Sequence, residues 1–309
     1  MKKYLVVVLI CLLSLVGCEL SINIDKESSS IQEDVVLQEI DQIIDAYLEN
    51  HVSSDVTNYV DVAILTHLGK LDEFISEEEF NENITKETIE SVENVSQALK
   101  YSVILKAFNQ DLNSFEGVSL VEKLASLNKI SLFESLYGLM ALNNYDKEKS
   151  EAVKTYFDNL IVDLTTVNTP KVATPDLGGT TLIALAPYYD ELEEVKDVVD
   201  EYASWISSEV QLDNGAVPDT YMGENSATLA QVIMGLVANN IDPRSEEFTK
   251  GENDLITAIL EYSNGDGSFK YKLEDEDSDL FFSTPQSVLA LVVYKKFVNQ
   301  NQAVNAFIV

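Results

Sequence analysis

Asn225–Tyr271 holds two helices of opposite character, and that contrast constrains the fold more than any other stretch. Ser226–Ala238 is apolar almost all round, through Ala227, Leu229, Ala230, Val232, Ile233, Met234, Leu236 and Val237. A helix without a polar face has to be covered on every side. Asn225 or Ser226 supplies an N-cap oxygen. Pro243 ends the helix by Asp242, because it disfavours the α conformation in the residue before it. Over Glu252–Tyr262 the apolar positions narrow to Leu255, Ala258, Ile259 and Tyr262, the i, i+3, i+4, i+7 stripe of a half-exposed helix. Asn264–Phe269 then turns the chain, with Gly265 and Gly267 free to take positive φ. The unit is a hairpin of one covered helix, one surface helix and a glycine turn.

Weaker copies of this order run through the chain. Tyr101–Phe108 precedes Val118–Leu127, Leu132–Leu142 precedes Ser150–Val162, and Thr180–Tyr188 precedes Leu192–Ser207. Each first helix is the more apolar and ends near an acid: Asp111, Asp146, Asp190, then Asp242. The spacing is uneven, as insertions between hairpins make it. Upstream, Val35–Leu48, Val56–Leu71 and a long Thr88–Phe108 read as helices, with Glu77-Glu78-Glu79 as an acidic break; Thr284–Phe297 is a last covered helix, with Pro285 in its first turn. About twelve helices follow Asp34, strict alternation is scarce, and the fold class expected is all-α.

The order of covered helix, surface helix and Gly-x-Phe turn resembles the repeat of the prenyltransferase and squalene cyclase superfamily. The residues that carry the resemblance are Ala227–Gln231, Ile241-Asp242-Pro243, Leu260-Glu261-Tyr262 and Gly265–Phe269, within about Thr174–Phe297. It implies an α/α toroid of about six helical hairpins over residues 34–309. An open superhelical array of stacked hairpins is the alternative. The resemblance says less about function, since one fold hosts many.

The N-terminus carries an address. Lys2-Lys3 is a charged n-region and Tyr4–Val16 an apolar h-region, too short to span a bilayer comfortably. Leu15-Val16-Gly17-Cys18 resembles the bacterial lipobox. That resemblance implies a signal peptide over residues 1–17, acylation of Cys18, and attachment to the lipid bilayer on the extracytoplasmic face. Glu19–Glu33 then reads as a flexible tether reaching roughly 20 Å. The only other cysteine is Cys11, so the processed domain forms no internal disulfide.

Charge narrows the partners. With 53 Asp and Glu against 20 Lys and Arg, the net charge of −33 argues against nucleic acid, which needs concentrated basic residues. Zinc chemistry lacks ligands, because His51 and His67 are the only histidines and no free thiol remains. Histidine-assisted nucleophiles fail for the same reason. The acidic run Glu274–Asp279 does not match the Asp-x-Asp-Asp order of the cyclases that it brings to mind. A weaker expectation is a Ca²⁺ site from Asp266, Asp275, Asp277 and Asp279, since that ion takes carboxylate oxygens; the EF-hand spacing is absent.

No catalytic residue is assigned. Aromatic and polar residues at helix ends and in turns form the candidate ligand site: Asp176, Tyr188, Tyr189, Trp205, Asp219, Tyr221, Glu224, Asn225, Tyr271, Phe281 and Phe282. The first expectation is binding of a small ligand or an extracellular protein without catalysis. The alternative is a carboxylate-dependent enzyme acting on extracellular glycans or lipids.

Overall fold

The computed structural model describes residues 35–127, 131–145, 149–166 and 174–309. The chain divides into two compact units, Met1–Gln42 and Ile43–Val309. Of the first, residues 35–42 are described, and all are helical. The second opens with helical residues 43–50 (α1). It continues through α2 (Tyr59–Leu68), α3 (Leu71–Phe74), α4 (Glu77–Asn83), α5 (Lys86–Glu90), α6 (Val95–Ala107) and α7 (Leu120–Ser126). Then come α8 (Leu132–Asn143), α9 (Glu151–Thr166), α10 (Pro175–Leu185), α11 (Glu193–Trp205), α12 (Ser226–Ala238), α13 (Leu255–Leu260) and α14 (Ser283–Gln300). Among the described residues there is no strand, only isolated bridges such as Ser263 with Phe269. The protein is all-α, as its periodicity predicts.

Local chemistry explains most boundaries. Asn225 caps α12 by accepting from the Thr228 amide at 2.9 Å. Residues in the left-handed region follow four of the apolar helices: Gly69, Asn109, Asn240 and Asn301. Three expectations need correction. The acidic run Glu77-Glu78-Glu79 is no break; Ser76 caps it, and it forms the first turn of α4, where carboxylates suit the helix dipole. The long helix over Thr88–Phe108 is two helices, because Asn94 caps a fresh start by accepting from Gln97. The helix placed from Thr180 begins at Pro175, capped by Thr174, and runs through Gly178 and Gly179.

Six helices form the core of the second unit: α2, α6, α8, α10, α12 and α14. Each packs on the next in this order, and α14 packs back on α2, so the succession of neighbours closes on itself. Flanking helices lie against them, α7 on α6, α9 on α8, α11 on α10 and α13 on α12. The core helices whose ends are joined by side chains run in the same direction. Asn143 at the end of α8 donates to Ala184 at the end of α10 at 3.0 Å, and Asn239 at the end of α12 donates to Leu182 at 2.9 Å. Lys296 in the last turns of α14 meets His67 in the last turn of α2 at 3.3 Å.

The closest approach is between α10 and α12. A Cβ on Gly179 would lie 2.6 Å from the Gln231 carbonyl carbon, and one on Gly235 would lie 2.6 Å from the Gly179 oxygen. Only glycines let the two backbones come this near. The Gly267 turn, at φ 89°, lies against the Tyr47 backbone of α1, and Asn50 donates to the Asp266 carbonyl at 3.2 Å. The Tyr47 hydroxyl donates to buried Asp61, which also accepts from the Ser53 amide at 2.9 Å and from Asn58 at 2.7 Å. Three donors hold one buried carboxylate, as burial of a charge requires.

Candidate functional site

The parallel run of the core helices gives the unit two chemically different ends. At the C-terminal ends, the segment following α14 is built in. Val304, Ala306 and Phe307 are buried. Asn305 donates to Ile183 at 2.8 Å, Asn144 donates to the Phe307 carbonyl at 2.7 Å, and Val304 donates to Val237 at 3.2 Å. With Asn143 and Asn239, Asn305 gives the last-turn carbonyls of α10 (Leu182, Ile183 and Ala184) one asparagine donor each. Leu182 also accepts from the Ala186 amide, and the last carbonyls of a helix otherwise lack intrahelical partners.

His67 completes this end. Its Nε2 lies 3.0 Å from the Ala306 carbonyl and its Nδ1 faces the Lys296 ammonium. Burial, and then Lys296, push its pKa down to about 4. The neutral ring donates from Nε2 and accepts at Nδ1, which ties the segment to α2 and α14 together. A pocket of about 400 Å³ opens beside it, lined in part by His67, Lys296, Pro187 and Ile308.

The N-terminal ends differ. Tyr59 begins α2, Tyr137 lies in α8 and Asp176 in the first turn of α10. Burial, and then the nearby charge of Asp219, raise the Asp176 pKa to about 6. The Tyr137 hydroxyl is raised by burial and by Asp176, and Tyr59 by burial and by Tyr137. Tyr271 is raised by burial and by the charges of Asp219, Asp176, Asp279 and Asp275. One electrostatic neighbourhood therefore joins α2, α8, α10 and the segments that lead into α12 and α14.

Those two leading segments use the same device. Asp219 Oδ1 accepts from the amides of Tyr221 and Met222, both at 2.8 Å. Asp279 Oδ1 accepts from Phe281 at 3.3 Å and Phe282 at 3.1 Å. Each turn pushes two apolar side chains into solvent: Tyr221 and Met222 are 85% and 52% exposed, Phe281 and Phe282 97% and 53%. The segment between them ties the two helix starts together. Ser226 bonds the Lys270 and Tyr271 carbonyls, and Phe269 exchanges hydrogen bonds with Thr284.

The sequence candidates sort between the two ends. Asp176, Asp219, Tyr221, Glu224, Asn225, Tyr271, Phe281 and Phe282 lie at or just before the N-terminal ends. Within that set Asn225 is spent as the α12 cap, and Glu224 accepts from Asn214 at 2.8 Å. Tyr188 and Tyr189 do not join the set, because they follow the C-terminal end of α10. Tyr188 donates to Asn143 at 2.8 Å and packs on Phe157, and Tyr189 donates to Asp200 of α11 at 2.9 Å. Trp205 packs between layers, against Gly178 and Tyr202.

The four aspartates proposed for Ca²⁺ are not gathered; no group of three or more metal-ligating side chains occurs among the described residues. Asp266 accepts from Ser268, Asp275 from the Lys272 amide and Asp279 from the α14 leader, while Asp277 is exposed. Turn formation accounts for three of the four. Sequence reasoning missed Tyr59 and Tyr137, whose spacing merges with the apolar pattern of their helices. Cys18, the signal peptide and the tether lie outside the described residues. Among the described residues no helix is long and apolar enough to cross a membrane. Comparison with protein-family models, with characterised proteins and with solved structures finds no match to this chain.

Proposed function

We propose that the chain is an extracytoplasmic lipoprotein, anchored to the bilayer through acylated Cys18, whose domain is an α/α toroid that binds a ligand or partner without catalysis. The six core helices would be the inner layer of that toroid, and the packing of α14 against α2 supports closure over an open array. In this reading the N-terminal ends of the core helices form the mouth. One observation carries the binding reading: Asp176, Asp219, Tyr137 and Tyr271 share one neighbourhood there, beside the exposed Tyr221, Phe281 and Phe282. Binding sites combine apolar walls with a few placed polar groups. At the opposite end the chain's own Val304, Ala306 and Phe307 are buried, and the exposed aromatic side chains favour the mouth as the binding face.

The test is a thermal-shift screen of the full chain in detergent against Ca²⁺, cobalamins, oligosaccharides and lipids. A specific ligand at a hundred times its dissociation constant adds about 2.7 kcal/mol of stability. The expected hit disappears in Asp176→Asn. A hit that survives that substitution places binding elsewhere and defeats the proposal.

A second reading, a carboxylate-dependent hydrolase, has one observation in its favour: a carboxyl raised to about 6 beside a second aspartate. Two carboxyls with pKa values pushed apart are what glycoside hydrolysis uses. Turnover of an oligosaccharide hit, lost in Asp176→Asn, would decide for it.

A further inference from the structure

Among the described residues, the large apolar side chains left most exposed, Tyr221 and Phe281, stand at one end. Tyr221, Met222, Leu280, Phe281 and Phe282 stand immediately before the first turns of α12 and α14, and Phe133 is in the first turn of α8. A monomer gains nothing in folding from a phenylalanine that is 97% exposed. Exposed apolar side chains in adjacent positions, as in Tyr221-Met222 and Leu280–Phe282, mark a contact with another molecule. The two aspartate turns fix this presentation, since each carboxylate holds the amides of the two exposed residues that follow it.

What surrounds the patch selects the occupant. Leu273–Asp279 runs straight into Leu280–Phe282 and carries five carboxylates, of which Glu274, Glu276 and Asp277 are exposed. Asp219 and Glu224 bracket Tyr221 and Met222, and within residues 219–224 and 270–282 the basic residues are Lys270 and Lys272. Side chains this exposed, Phe281 at 97% and Tyr221 at 85%, suit the broad contact of a macromolecule more than the enclosure of a small ligand. Anionic lipid headgroups would meet like charge here. We infer that this end docks a basic, amphipathic protein segment, whose apolar face covers Tyr221, Met222, Phe281 and Phe282 while its lysines or arginines meet the flanking acids. This rests on the mouth being the binding face, and it names the partner's chemistry.

Fluorescence anisotropy of a dye-labelled, eighteen-residue Leu/Lys amphipathic peptide against the full chain in detergent tests the inference, with empty micelles as the blank. The expected result is saturable binding that weakens at least tenfold in Phe281→Ala/Phe282→Ala. It also weakens at least tenfold when the lysines are replaced by glutamine, and further as salt rises from about 50 to 300 mM. Both phenylalanines are solvent-facing, so unchanged circular dichroism and melting temperature confirm that the variant is folded. Equal binding of the glutamine peptide, or of the double variant, overturns the inference. So does association with phosphatidylcholine vesicles that depends on Phe281 and Phe282 while the peptide fails. A chain that ignores the peptide yet keeps an Asp176-dependent hit in the ligand screen loses this inference alone; a chain with neither loses the binding reading as well.

Discussion

Gly178 and Gly179 are adjacent in α10, yet replacing each by alanine should affect stability to different extents. Local propensity favours alanine at both, by about 0.8–1.0 kcal/mol in a helix interior. At Gly179 the new methyl would sit 2.6 Å from the Gln231 carbonyl carbon and 2.7 Å from its oxygen and from the Val232 nitrogen. These are backbone atoms of α12, so relief requires the two helices to move apart, which also pulls on the hydrogen bond from Asn239 to Leu182. Overpacking of this kind costs about 1–3 kcal/mol, and more when backbone has to shift. After the propensity gain, Gly179→Ala should destabilise by about 1–2 kcal/mol. At Gly178 the nearest atoms belong to the Tyr202 ring at 3.0 and 3.2 Å, and a ring can tilt; the expected change there is within about 1 kcal/mol of zero. Because Gly235 faces Gly179 across the same crossing, Gly179→Ala/Gly235→Ala should cost less than the sum of the single changes, as helices already spread admit the second methyl more easily. Urea unfolding followed by circular dichroism and Trp205 fluorescence measures all four proteins. If Gly179→Ala leaves the midpoint at or above that of Gly178→Ala, the close crossing is not a constraint and the packing argument fails.

Three further outcomes are expected. His67 has a folded pKa near 4 against about 6.5 unfolded, so its contribution is complete above pH 6.5 and is lost as pH falls towards 4, up to about 3 kcal/mol. Asp176, raised to about 6, acts in the opposite sense; the measurement is therefore the difference between wild type and His67→Gln, which should be flat above pH 6.5 and change below it. Phe307→Ala should cost about 3–5 kcal/mol, because the ring is buried against Tyr59, and should lower the melting temperature by several degrees. Asp254→Ala should cost a similar 3–5 kcal/mol in urea unfolding, since Asp254 both caps α13 and pairs with half-buried Arg244 at 3.0 Å.

The fold was legible where one physical signal was enough. Ser226–Ala238 was recognisable as one helix, because an unbroken apolar surface follows Asn225 or Ser226 as its cap, and the structure assigns the cap to Asn225. The start of α10 was not, because Gly178-Gly179 has no apolar periodicity to extend the helix from Thr180 back to Pro175, and only the packing of α12 shows why glycine stands there. Asn94 was passed over inside an apparently continuous helix, since its capping bond depends on a backbone bend that periodicity does not register. At the candidate site, Asp176, Asp219 and Tyr271 were legible as residues beside helix starts. Tyr188 and Tyr189 were grouped with them because aromatic residues at helix ends look alike in sequence, whichever end they occupy. Tyr59 and Tyr137 gain their electrostatic role only from residues far away in the chain.

The return of α14 onto α2 also bears on how this protein comes apart. A linear stack of hairpins frays from its terminal repeats, each contributing a roughly separate increment of stability. A stack whose last member leans on its first has no terminal repeat to lose, so opening any one seam exposes two core faces at once. Unfolding should then be a single steep transition with no partly unzipped species, despite the repeating build. Assembly bears the matching burden: the seam joins residues such as His67 and Lys296, remote in sequence, and contacts of that range slow folding. A chain whose last core helix packs on its first should fold slowly and unfold as one piece.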